Sequence, residues 1–341
     1  MNLRHEADRV RAGARLSRAE SHELFGSTLV EGADQEALAD LLVALAERGE
    51  TVDEIIGGAQ ALRDAMLPFD HGVPEAVDTC GTGGDGLGSF NLSTAASLVA
   101  AAAGARVVKH GARSVSSKCG SADLLEAAGV CLELSPEQAR RVFDEVGLVF
   151  LFAPAFHPAM RFVAPVRQRL ARRTIFNYLG PLCSPGRVKR QLLGVGVEAQ
   201  LAPYAQALSA LGAERAYVVH GAGGADELTL AGPNQVISVG NVPAPDFDAQ
   251  DLGLAAASVE ALAGGEAADN LALLHAVLSG QAGPLRDAVL LNASATLVVA
   301  AVCTSAIEGL ERARTAIDSG AARRVLEDLV SASQLAGGGA Q

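Results

Sequence analysis

The chain has no CxxC pair, no run of about 18 apolar residues, and no excess of basic over acidic side chains. Each absence closes a class of function. Its five cysteines (Cys80, Cys119, Cys131, Cys183, Cys303) are odd in number and widely spaced, so neither a disulfide framework nor a zinc site is encoded, and a reducing cytoplasm fits. The longest apolar stretches, 95–105 and 288–303, are too short to span a membrane or are interrupted by Asn292, Ser294 and Thr296, and both read as buried helices. The start, MNLRHEADRVRAG, lacks the apolar centre of a signal peptide. With 27 Lys and Arg against 39 Asp and Glu, a formal charge of −12 repels nucleic acid and anionic membranes at long range. Basic groups are therefore expected to serve a local site. No internal repeat or low-complexity block is present.

What is present is length and apolar content. At 341 residues and 49% hydrophobic, the chain suits one large domain with a smaller one attached. The first seventy residues read as helices, with capping boxes at Ser17 to Glu20 and Thr51 to Glu54 and a 3.6-residue stripe at Leu38, Leu41, Leu42 and Leu45. These short amphipathic helices must bury their stripes against the rest of the chain or a partner subunit. From Val77, β-branched runs alternate with helices. Strands are predicted at 77–80, 106–109, 131–134, 148–152, 192–197, 216–220 and 236–239, and a further capping box at Ser135 to Gln138 opens a helix. Such alternation predicts an α/β fold with a mainly parallel central sheet flanked by helices, behind a small all-helical N-terminal domain. A second helical patch at 158–171, with the turn at 180–185, can return to the small domain. The last third, 256–335, is again helical, with a flexible tail predicted from Ala336.

The stretch 78–128 concentrates groups that hold phosphate oxygens. Gly81-Thr82-Gly83-Gly84-Asp85 follows a strand, and its glycines permit an amide nest, with Asp85 poised for a ribose hydroxyl or a metal. A tight turn with a solvated Asp explains GTGGD alone equally well. Asn91-Leu92-Ser93-Thr94 precedes an Ala-rich helix whose N-terminus favours anions, with Ser93 or Thr94 the expected cap. Lys109-His110-Gly111 ends a strand, and Arg113 to Lys118 adds cations and hydroxyls that a solvated face does not explain on so acidic a protein. His110 alone is more often a packed histidine. Asp226-Glu227 follows a glycine-rich turn and suits Mg²⁺, although acidic pairs are common in loops. Arg167 stands among Arg161, Arg169, Arg172 and Arg173, and by itself reads as a surface residue. Together these devices point to a phosphorylated, pyrophosphate-bearing substrate.

In order, GTGGD, NLST, KHGxRSVSS, GSADLLEA, FAPxxHPAM, TIFNxLGPL and HG…DEL resemble the anthranilate phosphoribosyltransferases, from about Leu16 to nearly the end of the chain. The resemblance implies a homodimer formed through the helical domain, with a small domain of 1–72 joined by about 160–190 and a large one of 73–159 and 191–341. Phosphoribosyl pyrophosphate would be held by Gly81, Gly84, Asp85, Ser89, Asn91, Leu92, Ser93, Thr94, Lys109, His110, Gly111, Ala112, Arg113, Ser114, Val115, Ser116, Ser117 and Ser121. Ser93, Asp226 and Glu227 would ligand magnesium, while Gly81, His110, Ala112 and Arg167 would border anthranilate. Lys109 and His110 are the residues implied at the reacting centre. Two departures stand out: Ala112 replaces the usual Asn of KHGNR, and Cys183-Ser184 replaces the usual TN of GPLTNP. The implied rivals are transfer to another aromatic amine, a pyrimidine nucleoside phosphorylase, and a non-catalytic nucleic-acid-binding relative.

Overall fold

Side-chain capping starts the N-terminal helices. Helix α1 (Leu3–Arg11) opens where Asn2 accepts the amides of Arg4 and His5; α2 (Arg18–Thr28) opens at the Ser17/Glu20 capping box. Asp34 caps α3 (Gln35–Arg48), and the Thr51/Glu54 box caps α4 (Val52–Ala65). The stripe Leu38, Leu41, Leu42 and Leu45 is fully buried, as its period requires. Glu54 also lies in this core: its carboxylate accepts the amides of Leu16 at 2.9 Å and Thr51 at 2.8 Å and pairs with Arg48.

The computed structural model describes residues 2–114, 118–245 and 247–338. After α4 the chain runs β1 (Val77–Gly81), α5 (Leu92–Ala102), β2 (Val107–Gly111), α6 (Ser121–Ala127), α7 (Pro136–Val146), β3 (Leu148–Phe152) and α8 (Ala153–Phe156). A single-turn 3₁₀ helix, Pro158–Phe162, leads into α9 (Ala164–Leu170) and α10 (Ile175–Leu179). There follow β4 (Arg190–Gly194), α11 (Leu201–Ala210), β5 (Arg215–His220), β6 (Gln235–Gly240), α12 (Ala267–Leu278), α13 (Pro284–Val299), α14 (Ala306–Asp318) and α15 (Ala321–Gly337).

The six strands form one sheet in the order β3-β2-β1-β4-β5-β6. Strands β1 to β5 pair in parallel, and β6 joins antiparallel to β5. Burial on both faces follows the two-residue period of a strand: Leu192, Tyr217 and Val219 face one core, and Leu193, Ala216 and Val218 face the other. The first core is closed by α5, α7, α13, α14 and α15. The second contains the stripes of α1 to α4 together with Val166, Ile175, Leu179, Tyr204 and Leu208. The 158–182 region thus packs with the N-terminal helices, and α11 and the β4–β5 face pack there too.

Two local expectations change. Residues 131–134 are not a strand, because the amide of Cys131 donates to the Ser333 hydroxyl at 3.0 Å and that of Leu134 to the Leu132 carbonyl. Gln138 and Gln334 complete this seam by donating to Ala336 and Gly129 carbonyls, so the segment is strapped along α15 instead of a neighbouring strand. The predicted tail is shorter, since α15 extends to Gly337 and buries Ala336.

Candidate active site

Connections leave β1 and β4 in opposite directions, so their carboxyl ends open a crevice at the point where strand order reverses. Register between them runs flush to Gly81↔Gly194. On the other side, β1 and β2 share only the pair Val77↔Val107. Beyond it side chains bridge the strands: the His110 amide donates to Asp78 Oδ1 at 3.2 Å, and Lys109 Nζ donates to the Thr79 carbonyl at 2.6 Å. Burial pushes the Asp78 carboxyl up to about 6, with the Lys109 charge opposing it.

The glycine turn follows β1. Gly83, Gly84 and Gly86 all have positive φ, at 65°, 71° and 78°, which explains their residue type. Gly81 is needed for a different reason: a Cβ there would lie 2.1 Å from Asp226 Oδ2. At Gly194 a Cβ would lie 1.6 Å from the Asp226 carbonyl oxygen, and at Gly221 it would lie 1.9 Å from that of Glu227. Three glycines therefore make the space into which the acidic turn after β5 is pressed.

That turn completes the site. Asp226 Oδ2 accepts the Gly83 amide at 2.6 Å, and Glu227 Oε1 accepts the Ser93 amide at 3.0 Å. Lys109 Nζ lies 3.3 Å from Ser93 Oγ. Asp226, Glu227, Ser93, Lys109 and the glycine turn are thus one cluster, although the acidic pair lies more than a hundred residues from the others in sequence. Thr79, Cys80, Ser93, Leu192, Gly194, Val219, Asp226, Glu227 and Asn292 enclose a cavity of about 10 Å³ in its floor, room for about one water.

Both carboxyls titrate above their ordinary range. Burial is the main cause for each, followed for Asp226 by the charge of Asp85 and for Glu227 by that of Asp226. Such a cluster is short of positive charge, which suits a hard divalent cation. Among the described residues no group of three or more His, Cys, Asp or Glu side chains can hold a metal alone. Magnesium fits this donor set, since it takes one or two carboxylates and leaves other positions to substrate phosphates.

The remaining candidates divide. Helix α5 begins at Leu92, so Asn91 is its cap position and Ser93 and Thr94 lie within the first turn. Asn91 offers no side-chain cap, because its amide donates to the Cys119 carbonyl at 3.1 Å and accepts from Asn270 at 2.9 Å. Leu92 is buried, Ser89 forms an isolated bridge with Ala263, and the Thr94 hydroxyl has no partner among the described residues. Asp85 Oδ1 accepts the Leu87 amide at 3.1 Å and its Oδ2 is buried without a described partner. Gly111 packs on Ser121, whose hydroxyl donates to the Ala112 carbonyl at 3.4 Å. Arg113 spends its fork on Glu126, at 2.6 and 2.7 Å, and on Asp123 at 3.2 Å; the amide of Ser114 also donates to Asp123. Val115, Ser116 and Ser117 lie outside the described residues.

Arg167 is half-buried over the Phe176 ring at 5.7 Å and makes no ion pair with a described carboxylate. Burial lowers its pKa with no anion to offset it, an arrangement open to an incoming carboxylate. His110 is paired with a residue given no role above, His157, their ring centroids 5.1 Å apart. Burial depresses both, His157 to about 4, so both imidazoles are neutral, and each has a buried Nε2 without a described partner. Arg173 is a second omission: its Nη2 donates to the Gly83 carbonyl at 2.8 Å. His157 lies in the HPAM motif and Arg173 directly precedes TIFN, but position along the chain says nothing about which neighbour a side chain meets.

The chain matches two family models, the helical bundle domain of a glycosyl transferase family over residues 7–66 and its a/b domain over residues 73–323. It is 47% identical over 330 residues to the anthranilate phosphoribosyltransferase of Rhodopseudomonas palustris, covering 96% of this chain and 97% of that one. The chain belongs to the anthranilate phosphoribosyltransferase family. Another family member, from Moorella thermoacetica, is 45% identical over 331 residues, covering 96% and 98%. The crystal structure of the anthranilate phosphoribosyltransferase of Thermus thermophilus superposes with a TM-score of 0.91 at 45% identity, covering 98% of this chain and 100% of that one. The Saccharomyces cerevisiae anthranilate phosphoribosyltransferase, solved in complex with PRPP and Mg, matches with a TM-score of 0.88 at 25% identity and 98% coverage of each chain. Family membership makes the chain a pentosyltransferase, and none of its described helices is long and apolar enough to cross a membrane.

Proposed function

We propose that the chain transfers the 5-phosphoribosyl group of phosphoribosyl pyrophosphate to the amine of anthranilate, giving N-(5′-phosphoribosyl)anthranilate and pyrophosphate in tryptophan biosynthesis. The observation that carries this reading is the meeting of Asp226 and Glu227 with the Gly83 and Ser93 amides beside Lys109, at the sheet's reversal point. In the reaction the C1–oxygen bond to pyrophosphate breaks and a C1–nitrogen bond forms through an oxocarbenium-like transition state. The amine proton is lost after that bond forms.

Asp226 and Glu227, with Ser93, would hold magnesium; when bound, it supplies positive charge to the leaving diphosphate. Lys109 adds a point charge held in place by the Thr79 carbonyl, while the Ser93 amide of α5 and the Gly83 amide of the glycine turn hold the Glu227 and Asp226 carboxylates beside it. Arg167 receives the anthranilate carboxylate. His110 borders the reacting centre as a neutral imidazole. Its depressed basicity makes it a poor general base, and an aniline lone pair needs none in order to attack. A second reading, transfer to a different aromatic amine, is favoured by Ala112, which offers the acceptor no side-chain hydrogen bond. This proposal also includes the division into 1–72 with 160–190 and 73–159 with 191–341, and a cytoplasmic homodimer paired through the helical domain.

The test is loss of anthranilate fluorescence when phosphoribosyl pyrophosphate is added, with and without magnesium. A flat trace from folded, magnesium-supplied protein overturns the reading. Ala112→Asn is expected to lower the KM for anthranilate while leaving that for the donor unchanged. If this variant prefers another aminobenzoate as strongly as before, the second reading gains.

A further inference from the structure

Helix α13 is apolar and buried from Ala288 to Val299, and into it the sequence sets an asparagine that is 1% exposed. The amide of Asn292 is fully used. Its Oδ1 accepts the Leu228 amide at 3.1 Å, and its Nδ2 donates to the Leu228 carbonyl at 2.8 Å and to the Ala288 carbonyl at 2.9 Å. We infer that Asn292 is a positioning residue for the Asp226-Glu227 turn, an inference that rests on reading these carboxylates as metal ligands.

The chemistry of the side chain explains its identity. A primary amide carries one acceptor and a pair of donors, so it can satisfy both the N–H and the C=O of one residue as a neighbouring strand would. An aspartate cannot donate, an aliphatic residue can do neither, and either would leave a buried backbone group without its partner. Leu228 directly follows Glu227. The opposite side of the turn presses on the strand ends, where the Asp226 carbonyl occupies the space beside Gly194 and the Glu227 carbonyl that beside Gly221. The acidic turn is therefore gripped from two sides, by glycines of β4 and the β5 end and by Asn292. The same asparagine lines the small cavity beneath Asp226, Glu227 and Ser93. With the grip removed, the carboxylates keep their chemistry and lose their fixed separation from the Gly83 and Ser93 amides.

The experiment is calorimetric binding of inorganic pyrophosphate to the full chain across a magnesium titration, in wild type, Asn292→Ala, Asn292→Ser and the control Ser294→Ala. Ser294 lies on the same helix and donates to the Ala306 carbonyl at 2.7 Å, so its loss also removes a buried hydrogen bond but touches no part of the turn. The magnesium concentration for half-saturation is expected to rise about tenfold in both Asn292 variants and to stay at the wild-type value in Ser294→Ala. Asn292→Ser, which cannot bridge both groups of Leu228, decides the matter if the alanine variant does not fold. Wild-type half-saturation in a folded Asn292 variant overturns the inference, as does an equal shift in Ser294→Ala, which would mark a merely structural effect. Wild-type protein that binds pyrophosphate equally without magnesium overturns instead the metal reading beneath it.

Discussion

Replacing Gly194 by alanine tests the packing of the acidic turn directly. The added Cβ would stand 1.6 Å from the Asp226 carbonyl oxygen, where real Cβ contacts essentially never fall below 3.0 Å. The clash is with backbone on both sides, so no rotamer relieves it. Either β4 or the turn must retreat by roughly 1.4 Å, and displacements of about 1 Å in a catalytic constellation can cost on the order of 100-fold in rate. β4 is held in register with β1 along five residue pairs, and the Gly194 carbonyl accepts the Thr82 amide at 2.9 Å, so the turn is the part that gives. The overpacking itself should cost about 1–3 kcal/mol, leaving the protein folded. The expected result is a kcat/KM for phosphoribosyl pyrophosphate lower by about 100-fold with a melting temperature reduced by only a few degrees. Initial rates of anthranilate fluorescence loss measure the first, and a thermal melt the second. Gly26→Ala, on α2 with nothing within 4 Å of the new methyl, controls for the substitution. If Gly194→Ala keeps a rate within about twofold of wild type, the argument that the turn's placement governs catalysis is wrong.

Arg48→Ala should strand the Glu54 carboxylate in the helical core and cost about 3–5 kcal/mol in urea unfolding, while Arg48→Lys recovers part of it. Burial holds the Asp78 carboxyl at about 6, above an unfolded value of about 3.9. Its contribution therefore favours folding fully below the unfolded value and is lost as pH rises through the folded one. Asp78→Asn keeps an oxygen for the His110 amide and removes that loss, so it should gain roughly 1–3 kcal/mol relative to wild type at pH about 7.5 and less at pH about 5; an equal gap at both pH values would refute the assignment. Arg167→Ala should raise the KM for anthranilate at least tenfold, on the order of one charge-assisted hydrogen bond, and leave the KM for phosphoribosyl pyrophosphate near wild type. Steady-state titration of each substrate separates the two.

Much of this fold is legible along the chain because local physics dictates it. Capping boxes at Ser17, Thr51 and Ser135 start helices where their side chains meet nearby amides, and this needs no distant partner. Six of seven expected strands form, and the exception, at 131–134, was decided by Ser333, two hundred residues away, whose hydroxyl takes a ladder amide. The same division runs through the candidate site. Residue types in the glycine turn, the Lys-His-Gly strand end and the acidic pair were readable as phosphate and metal chemistry, because positive φ, charge and donor count belong to the residues themselves.

What only the tertiary structure decides is who faces whom. It sets Asp226 and Glu227 on the amides of Gly83 and Ser93, sends the Arg113 fork to Glu126, pairs His110 with His157, and turns Asn292 from an interruption in an apolar run into a clamp on Leu228. The physical reason is that each of these contacts is made across strands or between a helix and a turn far apart in sequence. Their geometry depends on sheet order and on where a missing Cβ leaves room. Composition and spacing carry the chemistry of each group, and only the packed sheet assigns its partner.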